Sequence, residues 1–179
     1  MSRKIILNLA ISLDGYIADE NGGYDWIKGD GDTSLNTEKV FSFPEFVDSV
    51  DTIVMGKNAY KDCGIENIED FESKKFFVAT SNNMDNYDNV EFISGDICSE
   101  IQKLQKEEGK DIWLFGGAGL TDSFIKADIV DEYIIGIIPI ILGKGRPLFL
   151  GNNPTIKLHL DECTVQEGIT ILRYLKRVE

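Results

Sequence analysis

The stretch Asp111-Ile-Trp-Leu-Phe-Gly-Gly-Ala-Gly-Leu120 constrains this chain more than any other. Residues of strand character run into glycines, and a second apolar segment with helical spacing follows. A strand ending in glycines has no Cβ to hold a phosphate away from the backbone. The helix beyond it offers unpaired N–H groups and the positive end of its dipole. The spacing is G-G-x-G rather than the G-x-G-x-x-G of a dinucleotide-binding turn. Alone, the pattern fits both a nucleotide site and a tight strand-to-helix turn that binds nothing.

Similar signals recur along the chain. Residues 3–13 form a mostly continuous apolar run, as in a central strand buried on both faces, and Asp14-Gly15 then turns the chain. Thr52-Ile-Val-Met-Gly56, Lys75-Phe-Phe-Val-Ala-Thr80 and Val90-Glu-Phe-Ile-Ser94 read as further strands. Lys57 to Cys63 can begin a helix, and Asp96 is placed to cap one carrying Ile97, Ile101 and Leu104, closed by Gly109. Apolar residues from Thr37 to Val50 recur at helical spacing, with Pro44 expected to break or restart that helix. Alternating strands and helices predict an α/β fold around a mostly parallel sheet. Past Asp128 the segments Val130–Ile138, Ile156–Val165 and Ile169–Leu175 are strand-like with no helix between them. They should pair antiparallel, with Gln166-Glu167-Gly168 as a hairpin turn. Residues 19–36 are rich in Gly, Asp and Asn around Tyr24 and Trp26 and read as a mobile flap.

Composition closes off several classes. The 179 residues suit one ordinary domain. Hydrophobic residues at 42% and no apolar run near the ~18 residues of a membrane span argue against a membrane protein. Cys63, Cys98 and Cys163 are too scattered for a disulfide framework or a zinc site, so no metal and a cytoplasmic location are expected. A net charge of −13 disfavours nucleic acid and anionic membranes as partners. Acids such as Asp128, Asp131 and Glu132 read as solvated decoration, and His159 shares an exposed strand face with Lys157 and Asp161.

If the strands are parallel, the ends Met55-Gly-Lys-Asn58, Ala79-Thr-Ser-Asn82 and Phe115-Gly-Gly-Ala118 lie along one edge, where ligands of such sheets collect. Their glycines, hydroxyls and lysine suit a dinucleotide: Gly116, Gly117, Ala118, Gly119 and Leu120 for the pyrophosphate, Lys57 for a further phosphate, and Thr80 and Ser81 for oxygens at the adenosine end. Asn8, Trp26, Phe46 and Phe115 are candidates for the substrate walls, with plain core packing as the competing reading for Phe46 and Phe115.

Ala10-x-Ser-Leu-Asp-Gly-x-Ile17, Val54-Met-Gly-Lys-Asn-Ala-Tyr60, Phe115-Gly-Gly-Ala-Gly-Leu120, Val130-Asp-Glu-Tyr133 and Ile138-Pro-x-x-Leu-Gly-x-Gly145 together resemble the dihydrofolate reductase superfamily. Within it they look like the riboflavin-biosynthesis reductase domain of bifunctional deaminase-reductases. The resemblance runs in order over nearly the whole chain. It implies a three-layer α/β fold with about eight strands in a mixed, mostly parallel sheet and an antiparallel C-terminal part. It also implies NADPH as cofactor, reductase activity on a pteridine or a 5-amino-6-ribosylaminouracil phosphate, and a homodimer. Carried over, Ala10 and Ile17 line the nicotinamide, Gly56, Lys57 and Asn58 the phosphate side, Thr80 and Ser81 the adenosine ribose or its extra phosphate. Gly116 to Leu120 hold the pyrophosphate, across a Gly116–Gly117 bond that is cis in dihydrofolate reductases.

Two positions depart from that pattern. The usual Gly-Arg-x-Thr is Gly56-Lys57-Asn58-Ala59, which keeps a cation but loses a fork of donors and a hydroxyl. No carboxylate in Lys39-Val-Phe-Ser-Phe-Pro-Glu-Phe46 matches the acid that holds the pterin in folate reduction. Asp14, Asp25, Glu45 and Asp48 are conceivable proton donors, and none is assigned. A nucleotide-binding homodimer without turnover is therefore the rival expectation, with a flavin-binding or purely structural dimer behind it.

Overall fold

The computed structural model describes residues 2–64 and 68–178. Its strands are β1 (Ile5–Ser12), β2 (Tyr16–Ala18), β3 (Val50–Gly56), β4 (Lys75–Ala79), β5 (Val90–Ile93), β6 (Asp111–Gly116), β7 (Glu132–Ile138), β8 (Arg146–Pro147), β9 (Leu158–Gln166) and β10 (Ile169–Lys176). The helices are α1 (Phe43–Ser49), α2 (Lys57–Cys63), α3 (Ile97–Leu104) and α4 (Ala118–Lys126). Eight strands form one sheet in the order β5-β4-β3-β6-β1-β7-β10-β9, and β2 pairs with β8 beside it. From β5 to β7 every pairing is parallel. β10 then runs antiparallel to both β7 and β9. The expected mixed, mostly parallel α/β sheet is the one that forms, and β7 joins its two parts by pairing parallel with β1 on its other side.

The apolar runs are buried on both faces, as parallel strands require. Ile5, Leu7, Ile112 and Leu114 pack with Ile97 and Ile101 of α3 and Phe124 and Ile125 of α4. On the opposite face Ile6, Ile53, Met55 and Trp113 pack with Phe46 and Val47 of α1 and Tyr60 of α2. The hairpin turn is Glu167-Gly168, with φ of 50° and 81°. A positive φ at both central residues gives the twist that a two-residue hairpin needs.

Three details differ from the sequence expectations. The periodic stretch from Thr37 becomes helical only at Phe43, because Ser42 caps the helix and Pro44 fits its first turn, where the missing N–H costs nothing. Thr37 instead leaves the helix pattern and bonds to Val165 of β9. The flap is fastened at its far end, where Asp30 N–H donates to the Glu167 carbonyl and Glu167 N–H to the Asn36 side chain. Glu132, read as solvated, is 1% exposed and paired with Arg173 and Lys4, and burial pushes the Asp131 carboxyl up. Another charge is buried at Lys74, whose Nζ donates to the Val47 and Val50 carbonyls at 2.7 Å each and so closes the end of α1.

Candidate cofactor and acceptor site

Parallel pairing brings the three glycine and hydroxyl turns together. Gly56 of β3 lies opposite Ala79 of β4, and Met55 opposite Gly116 of β6. All the residues expected on the cofactor side line one cavity of about 1330 Å³: Ala10, Ile17, Gly56, Lys57, Asn58, Thr80, Ser81, Gly116, Gly117, Ala118, Gly119 and Leu120. Single drug-sized ligands occupy sites of roughly 300–1,000 Å³. This one has room for a dinucleotide and a second small molecule.

The backbone there fits an anion. A Cβ placed on Gly117 or Gly119 would meet nothing within 4 Å, so the first turn of α4 is bare towards open space. Gly117 heads α4 and Gly56 heads α2, and neither helix start has a side-chain cap. The leading N–H groups are therefore available to a phosphate, with the helix dipole of α4 behind them. Lys57 adds a cation at the first position of α2. The Gly116–Gly117 bond is cis, as the resemblance implied.

A second region of the same cavity is built by strand alternation. Asn8 and Ala10 share a face with Ile6, and register places Asn8 beside Ile134, Ala10 beside Gly136, and Gly136 beside Ile171. Nearer the amino edge this face is filled by Ile6, Ile134 and Trp113 beneath α1. Seven residues of helix reach only about 10 Å at 1.5 Å per residue. Beyond it the small Ala10 and Gly136 leave a depression walled by Phe43, Trp113 and Phe115. Phe43 and Trp113 meet edge-on at 5.8 Å, and Trp113 and Phe115 lie 5.2 Å apart. Trp113 Nε1 donates to the Asn8 carbonyl at 3.1 Å, while the Asn8 amide nitrogen is buried without a partner.

The Ser-Leu-Asp-Gly and Pro-x-x-Leu-Gly-x-Gly elements hold one another at the side of this cavity. Asp14 accepts from the Ser12 hydroxyl at 2.7 Å and from the Leu142 and Gly143 N–H groups at 3.1 and 2.8 Å. At Gly145, φ is 156° and a Cβ would lie 2.3 Å from the Ala18 carbonyl, so only glycine permits this approach. The Ser12 hydroxyl, with the two N–H groups, holds the Asp14 carboxyl below its ordinary value. Asp14 is thus an anionic clasp, unsuited to giving a proton. Asp25, Glu45 and Asp48 are exposed and absent from the cavity lining; Asp62 of α2 is the carboxylate that lines it among the described residues.

The model of the RibD C-terminal domain family matches residues 66–171, more than half of the chain. The uncharacterized protein YyaP of Bacillus subtilis (strain 168) is 36% identical, with 96% of this chain and 94% of that protein covered. This chain belongs to the RibD C-terminal domain family. A crystal structure from Shewanella sp. PV-4, described as a candidate riboflavin biosynthesis protein, superposes with a TM-score of 0.80 at 27% identity and covers 99% of this chain and 100% of that one. The dihydrofolate reductase of Enterococcus faecalis, complexed with NADP(H) and RAB-propyl, shares the fold, with a TM-score of 0.62 at 13% identity and 99% and 100% coverage. The RibD reductase domain family typically comprises NADPH-dependent reductases.

In this RibD C-terminal domain chain, of the four residues named as candidate substrate walls Asn8 and Phe115 line the cavity, and Trp26 and Phe46 do not. Trp26 is folded into its own loop, with Nε1 bonded to the Gly23 carbonyl at 3.1 Å. Phe46 sits under α1, edge-on to Trp113 at 5.2 Å. Tyr24 and Ile27 of the flap, Phe43 and Trp113 line the cavity beside Asn8 and Phe115. Phe43 carried a usable signal: it stands three residues before Phe46 on the same side of α1, so its ring reaches Trp113 from the open end of that side. Arg146 of β8 also lines the cavity, against Gly22, and nothing local in its loop sequence announces that. Among the described residues no cluster of three metal-ligating side chains occurs, and no helix is long and apolar enough to cross a membrane.

Proposed function

We propose that this chain is an NADPH-dependent reductase of a small heterocycle of the pteridine or ribosylaminopyrimidine class, acting as a homodimer. The observation that carries the reading is the continuity of two regions in one cavity, a glycine-lined edge that fits a pyrophosphate and a depression beside Ala10 that fits a flat ring. Bound NADPH supplies a hydride, two electrons with one proton, and leaves as NADP⁺. The chain's own work would be positional. Gly116 to Leu120, Lys57 and Asn58 hold the phosphates, Thr80 and Ser81 the adenosine end, and Ala10 and Ile17 flank the nicotinamide. Asn8 and Phe115 bear on the acceptor. Water supplies the remaining proton, since no carboxylate projects from the strands that floor the depression.

Titration of the purified protein with NADPH, followed by nicotinamide absorbance over a panel of pterins, pyrimidines and quinones, tests this reading. Saturable binding and oxidation with at least one acceptor are expected. Binding without oxidation on any acceptor would instead favour a nucleotide-binding homodimer without turnover, the reading that the missing floor carboxylate supports. Light scattering at working concentration tests the dimer.

A further inference from the structure

The geometry points to an uncharged, flat, carbonyl-bearing ring as the second occupant of the cavity, rather than a ring carrying a phosphoribosyl group. This rests on the reductase reading only in assigning the glycine-lined edge to the cofactor. Three observations carry it. The acceptor region is walled by aromatic side chains: Phe43 and Phe115 pack on the buried Trp113 at 5.8 and 5.2 Å, and the surface that Phe43 and Phe115 keep at the cavity suits another flat π system. Its polar feature on the strand floor is Asn8, whose amide nitrogen is buried with no partner. A buried unpaired donor is costly, and a ring carbonyl over Ala10 and Gly136 would satisfy it. The third observation is the charge around the wall.

A phosphate dianion needs guanidinium or ammonium groups within reach. The helix over this region, α1, carries Glu45 and Asp48 and no cation. The nearest basic residue before it in sequence, Lys39, is engaged with Glu162 at 2.8 Å and lines a separate, smaller cavity. Among the described residues, the cations that line the main cavity, Lys57 and Arg146, belong to other elements. Lys57 heads α2 beside the glycine edge, and Arg146 lies against Gly22 on β8. A phosphoribosyl tail leaving the ring past α1 would therefore find no cation to hold it, in a chain whose net charge is already −13.

The test reads binding directly. Trp26 and Trp113 are the chain's two tryptophans, so the Trp26→Phe variant leaves the emission of Trp113, inside the wall, as reporter. It is titrated with 5-amino-6-ribosylaminouracil and with the 5′-phosphate of the same compound, with and without NADPH, and with lumazine as an unphosphorylated pteridine. The unphosphorylated rings are expected to quench Trp113 with at least about tenfold higher affinity than the phosphate ester, a margin set by one unfavourable charge contact. Asn8→Leu should weaken the carbonyl-bearing rings about tenfold and leave NADPH affinity unchanged. Asn8→Asp, of equal size but without the donor, should do the same if the leucine variant melts early. Equal or tighter binding of the phosphate ester overturns the inference, all the more if Arg146→Ala removes that preference; so does undiminished ring binding in both Asn8 variants. If NADPH fails to bind while the neutral rings still quench Trp113, the reductase reading falls and the ring site stands.

Discussion

Helices α1 and α3 begin under a polar side chain, whereas α2 and α4 begin under a glycine. Ser42 accepts from the Glu45 N–H at 3.3 Å, and Asp96 from the Ser99 N–H at 3.1 Å. Gly56 and Gly117 offer nothing comparable. Proximity to the cavity does not explain the split, because Gly95 and Ile97 at the start of α3 also line its rim. What differs is the strand in front. α2 and α4 follow directly from β3 and β6, adjacent strands in the middle of the parallel sheet, whereas α3 follows the edge strand β5 through a short turn. Ordinary helix-start chemistry is kept where only folding is served and dropped where a ligand can take over the cap's work.

Making α4 start like α3 should have the largest effect. Gly117→Asp would fill the open space with a carboxylate that caps the helix and repels phosphate. NADPH affinity should fall by more than about 100-fold, or about 2.7 kcal/mol, read by nicotinamide fluorescence. Stability should change by only a few tenths of a kcal/mol, because glycine is itself a tolerable cap. An unchanged affinity would break the comparison. Lys57→Gln removes the cation at the head of α2 and should cost about tenfold in NADPH affinity, or about 1.4 kcal/mol. A smaller loss for NADH would place that lysine at the extra phosphate.

The capped pair should respond in the opposite way. Ser42→Ala should lower stability by about 0.5–1 kcal/mol in urea unfolding with cofactor affinity unmoved. The smallest effect belongs to pH. The Ser99 hydroxyl, followed by the Ser99 N–H, holds the Asp96 carboxyl below its ordinary value of 3.8. A carboxyl lowered by folding contributes stability that is present above 3.8 and is lost as pH falls through the lower folded value. Asp96→Asn keeps a capping oxygen, so it should match the parent near neutrality and show a shallower loss of stability in acid.

Much of this was legible because it is local. Continuous apolar runs gave β1, β3, β4 and β6, and the glycines at 56 and 116 gave the ends that hold the cavity together. The illegible part lies in what covers a face. Periodicity put Phe46 on the apolar side of α1, but only the packing shows that α1 stops short of Asn8 and that Trp113 ends under Phe46. Trp26 looked available because its loop is polar, yet the loop folds around it. Glu132 read as solvated from its charge, and it is buried by the side chain of Arg173, remote in sequence; the burial of Lys74 on the carbonyls of Val47 and Val50 is likewise set by distant partners and carries no local signal. The aspartate of Ser-Leu-Asp-Gly could not be told from a proton donor until the Leu142 and Gly143 N–H groups appeared on it.

The strand order has a consequence for how the chain is made. β1 is made before the other strands of its sheet, yet its neighbours are β6 and β7, with Ile5 opposite Ile112 and Leu7 opposite Tyr133. At about 5–20 residues per second the intervening ~100 residues take roughly 5–20 s to synthesise. Throughout that interval β1 lacks both of its sheet neighbours, so its apolar side chains wait exposed until the second half of the sheet is made.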